Sequence, residues 1–107
     1  YHTVAPPRSV LMVNGLRDSM TLDRSAVALA SALRAQPLAP LPGLAIQPVA
    51  SVRGNGARGK ATFALMVLEP RAGDGHFVFF DEPIAQRVSE SFLRAIVGGD
   101  SAPTVRP

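Results

Sequence analysis

A chain of 107 residues, 47% of them hydrophobic, is long enough to form one domain that folds without disulfide support. It contains no cysteine, which excludes disulfides, thiolate catalysis and thiolate zinc sites. The net charge of +3 comes from 11 basic and 8 acidic residues scattered along the chain, a weak field that argues against a nucleic-acid partner. No apolar run approaches the ~18 residues of a membrane span, so we predict no transmembrane segment.

The N-terminal third predicts a linker, a strand and a helix. Residues 1–8 contain Ala5-Pro6-Pro7 and predict an extended Pro-rich linker, because consecutive prolines block helices and sheet ladders. The apolar run at 10–13 ends at Asn14-Gly15 and predicts a strand buried on both faces. Between residues 21 and 35 apolar side chains recur with a 3.6-residue period, which predicts an amphipathic helix.

The rest of the chain predicts three more strands and a second helix. Residues 44–52 predict a strand that Pro48 marks as an edge or bulged one. Residues 61–68 are almost continuously apolar, as in the central strand of a sheet. The aromatic-rich segment 77–80 predicts a fourth strand. The last helix begins at Pro83, a residue that suits the first helical position.

The element order is therefore β-α-β-β-β-α, which predicts an α+β fold. We expect a two-layer sandwich with a four-stranded, mostly antiparallel sheet and two helices on one face. The single domain would span 9–99, with a flexible tail at 100–107. Apolar residues on both sides of the last two strands would leave one sheet face exposed, as at an interface or a ligand pocket. One helix on each face is the alternative.

A glycine-rich segment resembles a nucleotide site. Residues 54–60, Gly-Asn-Gly-Ala-Arg-Gly-Lys, match both G-x-G-x-x-G and G-x-x-x-x-G-K. Residues 77–83, an apolar run followed by Asp-Glu-Pro, are similar to the Walker B strand of ABC-type ATPases. That resemblance implies a loop that cradles phosphates and an acidic side chain that helps to hold Mg²⁺.

The spacing of these motifs argues against nucleotide binding. Ala61 stands where the phosphate loop needs a Ser or Thr hydroxyl for Mg²⁺, and the residues that follow it favour a strand over the required helix. Only sixteen residues lie between Lys60 and Phe77, too few for a crossover helix and further strands. We therefore predict a flexible hairpin turn at 54–60 and no cofactor, with nucleotide binding through Gly54–Lys60 as a remote alternative.

The sequence shows no complete catalytic set. His76 follows Asp74-Gly75 at a predicted turn, where an Asp–His contact lacks an adjacent nucleophile, and His2 lies in the predicted linker. No His, Asp and Glu residues have metal-ligand spacing. We therefore predict no catalytic residue, no metal and no enzymatic activity.

The first functional hypothesis is a non-catalytic protein-interaction or assembly module that binds a protein partner or itself. Its element order resembles small domains of bacterial envelope lipoproteins and secretion-complex subunits, which implies the cell envelope or periplasm ahead of the cytoplasm. Basic residues at one loop and apolar residues on the predicted strands are the candidate partner-binding residues: Arg53, Arg58, Lys60, Phe63, Met66, Phe77 and Phe79.

The alternative is a sensory domain that binds a small molecule. Residues 25–83 resemble the second half of a PAS-like sensor in their order of helix, strand, long turn, strand, short turn and strand. A sensor predicts an enclosed cavity of at least ~300 Å³ lined by Phe63, Met66 and the strand 77–80. An assembly module predicts an open apolar face or a free strand edge.

Overall fold

The computed structural model describes residues 5–107 and has mixed helix and strand content. Its strands and helices, in chain order, are β1 Val10–Gly15, α1 Asp23–Leu33, β2 Gln36–Pro37, β3 Phe63–Leu68, α2 Val78–Asp81 and α3 Pro83–Val97. Two 3₁₀ turns lie at Ala57–Gly59 and Gly75–Phe77. Within the described chain the sheet has three strands in the order β1-β3-β2.

The prediction of a four-stranded, mostly antiparallel sheet is wrong, because β3 pairs in parallel with both of its neighbours. Val10 lies opposite Phe63 and Gly15 opposite Leu68. Between β1 and β3 the chain crosses over through α1, as a parallel pair requires. Short turns join antiparallel strands and cannot connect parallel ones. The sequence analysis assigned short turns between the strands and therefore predicted the wrong strand direction.

Two of the predicted strands do not form. In the segment 44–52 only Val52 makes a β-bridge, and its partner is Val105 near the C-terminus. The aromatic segment 77–80 is helical, since Asp74 caps a 3₁₀ turn that leads into α2. Its aromatic content predicted a strand, whereas burial of Val78 alone and exposure of the neighbouring rings fit one turn of helix.

The other four elements are confirmed. The helix predicted over 21–35 is α1, and the helix predicted to begin at Pro83 is α3, with that proline in its first turn. The apolar run after Ser9 forms β1, but residues 10–13 are half-buried in an edge strand and not buried on both faces as predicted. The central strand is β3. Both faces of β3 are buried, because Leu65 and Met66 point to opposite sides and are 0% and 1% exposed.

The helices cover opposite faces of the sheet, which was the alternative arrangement. On one face Ala64 and Met66 pack with α3 residues such as Val88 and Phe92. On the other face Leu65 packs in a cluster with Ala26 and Ala30 of α1. A parallel sheet needs this double cover, since both of its faces are apolar.

The two ends of the chain differ. Residues 1–4 of the predicted linker lie outside the described residues, and residues 5–8 are exposed and form no regular secondary structure. The sequence predicts a flexible tail over 100–107, but Ala102 and Val105 of this segment are buried. Val105 donates to and accepts from the backbone of Val52 at 2.8 and 3.0 Å. The core therefore includes side chains from beyond α3.

Candidate active site

The carboxyl ends of β1 and β3 lie side by side and send two loops to the same edge of the sheet. The loop at 16–22 follows β1, and the loop at 69–77 follows β3. This edge is where open parallel sheets characteristically bind ligands and carry polar functional residues. Hydrogen bonds between Asp18, Ser19, Asp74 and His76 join the two loops here.

Two glycines let these loops approach closely. A Cβ on Gly15 would lie 2.1 Å from the carbonyl oxygen of Gly75, and a Cβ on Gly75 would lie 2.2 Å from that of Leu16. The backbone N–H of Gly75 also donates to the carbonyl of Arg17 at 3.3 Å. Any larger residue at either glycine would separate the loops.

Asp18 is held in one orientation by its own loop. Its Oδ1 accepts hydrogen bonds from the backbone N–H groups of Met20 at 2.8 Å and Thr21 at 2.9 Å. The side chain is only 11% exposed. A carboxylate fixed in this way presents a defined edge to its neighbour on the other loop, His76.

His76 meets that carboxylate through one ring nitrogen. Its Nδ1 lies 3.1 Å from Oδ1 and 3.4 Å from Oδ2 of Asp18, across 58 positions of sequence. The Phe77 ring packs edge-on against the imidazole, with the centroids 4.9 Å apart. The His76 side chain is 32% exposed, so the ring is anchored on one side and open on the other.

Asp74 joins the two loops from beside this pair. Its Oδ1 accepts the backbone N–H of Ser19 at 3.0 Å and that of His76 at 3.0 Å, and its Oδ2 accepts the Ser19 hydroxyl. These hydrogen bonds connect the residue that follows Asp18 directly to His76.

Both carboxylates are stabilised in their charged form. Burial raises the pKa of Asp18, but the hydrogen bonds from Thr21, Met20 and the His76 ring outweigh that effect and bring its pKa below the ordinary value. The Ser19 hydroxyl, then the backbone N–H groups of His76 and Ser19, lower the pKa of Asp74. A negative charge is thus maintained next to the imidazole at neutral pH.

The arrangement gives His76 the features of a general base. A carboxylate that accepts the proton of Nδ1 selects the tautomer in which Nε2 carries a lone pair, and it stabilises the imidazolium that forms when Nε2 takes a proton. Within residues 5–107 the ring makes its hydrogen bonds through Nδ1. The nearby Ser19 hydroxyl is bonded to Asp74 instead, so it is not the group that His76 would activate.

The glycine-rich loop lies apart from this pair in sequence and leads into a strand. Gly56 and Ala61 form an isolated bridge, and β3 follows where a phosphate loop would need a helix. Arg58 and Lys60 are exposed there. Arg53 forms an ion pair with Asp100 at 2.8 Å. The three predicted basic residues therefore include one that binds the C-terminal segment.

The four predicted apolar residues separate into two kinds. Met66 is buried in the core beneath α3, and Phe63 packs at the edge of the cluster beneath α1. Phe77 and Phe79 are 54% and 42% exposed. Phe79 lines an open groove of about 360 Å³ with side chains from β1 and α3, namely Leu11, Val13, Ser89, Phe92 and Leu93.

Sequence reasoning missed the pairing of His76 with Asp18. It considered Asp74 as the partner of His76. The available signal was position: Asp18 follows the carboxyl end of β1 by three residues, and His76 follows that of β3 by eight. That signal identifies a pair only if the two strands are parallel, and the predicted sheet was antiparallel.

Other kinds of site find no support in the part of the chain that the structure describes. No group of three or more His, Asp or Glu side chains among residues 5–107 is arranged to hold a metal ion. No helix among them combines the length and the apolar character needed to cross a membrane. No family model, no curated protein and no solved structure matches this chain.

Proposed function

We propose that this chain carries the acid and the base of a hydrolase that acts through a Ser–His–Asp triad. Asp18 orients His76, and Nε2 of His76 takes the proton of a serine hydroxyl as that oxygen attacks the carbonyl carbon of an ester. The observation that carries the proposal is the 3.1 Å contact between His76 Nδ1 and the Asp18 carboxylate at the carboxyl edge of a parallel sheet.

The chain order of the pair supports the same proposal. Asp18 follows β1, and His76 follows β3, its parallel neighbour. In α/β-hydrolases the serine, the acid and the histidine follow one another along the chain in that order, at the edge of a parallel sheet. The likeness is one of geometry and order, and it extends to a partly buried, backbone-bonded carboxylate and a partly open imidazole.

The proposal requires a nucleophile that residues 5–107 do not place at His76. Within the described residues no serine hydroxyl bonds to the His76 ring, and β1 pairs only with β3. The other edge of β1 is therefore free to accept a parallel strand, whose carboxyl end would reach the same edge of the sheet. The groove at Phe79 lies beside β1 and is mostly apolar, so a helix that accompanies such an added strand could pack in it.

The chemistry balances with these groups alone. The serine oxygen forms a bond to the acyl carbon as its proton passes to His76. The bond from the acyl carbon to the alkoxide oxygen then breaks, and the proton held by His76 is transferred to that oxygen, so that an alcohol is released. Water then attacks the acyl-serine, again losing its proton to His76, and releases a carboxylic acid and the free serine. Asp18 stays charged throughout and stabilises the imidazolium in both halves.

The test measures ester hydrolysis by the protein as the cell makes it. With p-nitrophenyl butyrate as substrate, His76→Gln and Asp18→Asn should each lower kcat by about 10³- to 10⁴-fold. A fluorophosphonate probe, which labels activated serines, should lose its reaction with both variants.

The matched control is Glu90→Gln on α3, which removes an exposed carboxylate that pairs with Arg94. It should keep kcat and labelling within about twofold, as expected for a surface change. Full activity and labelling in His76→Gln would overturn the proposal.

A protein-interaction or assembly module is a second candidate. The specific observation in its favour is the exposed apolar surface at Phe77, Phe79 and Phe80, which continues into the groove beside β1. Exposed apolar surface beside a free strand edge favours polypeptide binding. Light scattering should then show self-association that Phe79→Ser removes, and a strict monomer in both forms would contradict it.

A PAS-like sensor has less support. The side chains expected to line its cavity, Phe63 and Met66, belong to core clusters on opposite faces of the sheet. The space beside Phe79 is a groove open to solvent.

A further inference from the structure

Asp74 is bonded to the backbone on both sides of the acid–base pair. One of its oxygens, Oδ1, accepts the N–H of Ser19, which follows Asp18, and the N–H of His76 itself, each at 3.0 Å. We propose that Asp74 is a positioning residue that sets the separation of Asp18 and His76 and so the direction of His76 Nε2. This inference rests on the proposed function, in which that pair performs the proton transfers.

The geometry goes beyond what a local turn requires. As the cap of the 3₁₀ turn at Gly75–Phe77, Asp74 needs only the hydrogen bond from the His76 N–H. Its two bonds to Ser19 instead span 55 positions of sequence and involve both carboxylate oxygens. The hydrogen bond from the Ser19 hydroxyl to Oδ2 of Asp74 thus joins the two loops and has no role in the turn itself.

Few other bonds hold the two loops together. Among the described residues they are the 3.3 Å bond from Gly75 to the Arg17 carbonyl, the exposed Arg17–Glu69 ion pair and the Asp18–His76 contact itself. Without Asp74 the loop that carries Asp18 would depend on that long backbone bond, on an exposed ion pair and on the acid–base contact. A displacement of about 1 Å at a proton-transfer site costs as much as 10²-fold in rate, so loop spacing translates directly into kcat.

The activity test compares two substitutions at Asp74 in the protein as the cell makes it. Asp74→Ala removes every acceptor and should lower kcat by about 10- to 100-fold with KM changed less than about twofold. Asp74→Asn keeps an oxygen for the two N–H groups and an amide that can bond the Ser19 hydroxyl, so it should retain kcat within about threefold.

Asp100→Asn is the matched control, since it removes a partly exposed carboxylate that pairs with Arg53, away from the two loops. It should leave kcat within about twofold. Circular dichroism melts of all variants establish that each is folded at the assay temperature, so that kcat refers to native protein. Equal kcat for Asp74→Ala and the unsubstituted protein would overturn the positioning role.

A second readout does not depend on catalysis. Nitrogen-15 NMR of the imidazole in the same protein reports which ring nitrogen carries the proton. The unsubstituted chain should show the Nδ1–H tautomer, Asp74→Ala a mixture of tautomers, and Asp74→Asn the original signature.

The outcomes separate the two proposals. If His76→Gln keeps full activity, the proposed hydrolase function fails, while a changed tautomer in Asp74→Ala still supports positioning of the pair. If His76→Gln is inactive and Asp74→Ala keeps both kcat and the tautomer, only the positioning role fails. A fall in kcat with an unchanged tautomer also overturns it, because the effect then does not pass through His76.

Discussion

The backbones at Gly15 and Gly75 touch, so that a Cβ on the first would lie 2.1 Å from the carbonyl oxygen of the second. This contact brings the end of β1 against the loop that carries His76. Side chains on two loops that are far apart in sequence can therefore meet, as Asp18 and His76 do at 3.1 Å. The site therefore depends on glycine at positions 15 and 75 as well as on the side chains of Asp18 and His76.

Gly75→Ala should separate the loops. The added Cβ would lie 2.2 Å from the Leu16 carbonyl, a backbone atom that cannot rotate away, so we expect a loss of about 1–3 kcal/mol in the free energy of unfolding. Urea unfolding followed by circular dichroism measures it. Gly98→Ala, whose Cβ would lie 3.3 Å from its nearest neighbour at the end of α3, should cost less than about 1 kcal/mol. Equal stability of the two variants would contradict the close contact.

Stability should fall in acid. The pKa values of Asp18 and Asp74 are lowered in the folded chain, and an Arg53 hydrogen bond also lowers that of Asp100. Unfolded carboxyls near pKa 3.9 take up protons first as the pH falls, so the stabilisation is present above about pH 4 and is lost below it. The melting temperature should be flat between about pH 7 and 5 and decrease below about pH 4.

The acid effect can be assigned to its groups by substitution. The double variant Asp18→Asn, Asp74→Asn should show a shallower decrease of melting temperature below about pH 4 than the unsubstituted chain, because two of the titrating carboxyls are gone. A decrease of the same slope would show that these two groups do not contribute to it.

Leu65→Ala tests the central position of β3. Leu65 is fully buried in the cluster beneath α1, so its truncation should cost about 2–5 kcal/mol through lost burial and the cavity that remains. Leu29→Ala on the outer side of α1, where the leucine is 52% exposed, should change stability by less than about 0.5 kcal/mol. Denaturant unfolding of both variants gives the comparison, and similar losses would argue against this placement of the sheet.

Val105→Ala tests whether the C-terminal segment belongs to the core. Val105 is 1% exposed and packs in the cluster with Met66 and Phe92, so we expect a loss of about 1–3 kcal/mol. Val97→Ala, at a position that is 88% exposed near the end of α3, should be nearly neutral. A neutral result at both positions would instead support the flexible tail that the sequence predicts.

Local sequence determined the elements whose patterns are strong over their own length. The helical period before Ala35 and the Pro83 start of the last helix required no tertiary information, and neither did the continuous apolar run of β3. The segment 77–80 was misread because consecutive apolar residues suit one turn of helix as well as a short strand. The cap that decides between them, Asp74, lies outside the run.

The candidate site was beyond the reach of local patterns. Asp18 and His76 lie 58 positions apart, and residues close to them in sequence, Ser19 and Asp74, are typical of turns. What joins them is the parallel pairing of β1 with β3, which places both loops at one edge of the sheet.

The sequence by itself determined which residues carry charge, apolar surface and conformational freedom, and therefore where α1, β1, β3 and α3 form. Only the tertiary structure decided that β1 and β3 run in parallel, because strand direction depends on how the crossover packs over the whole sheet. That one choice of direction places the Asp18 carboxylate against His76 and the two helices on opposite faces.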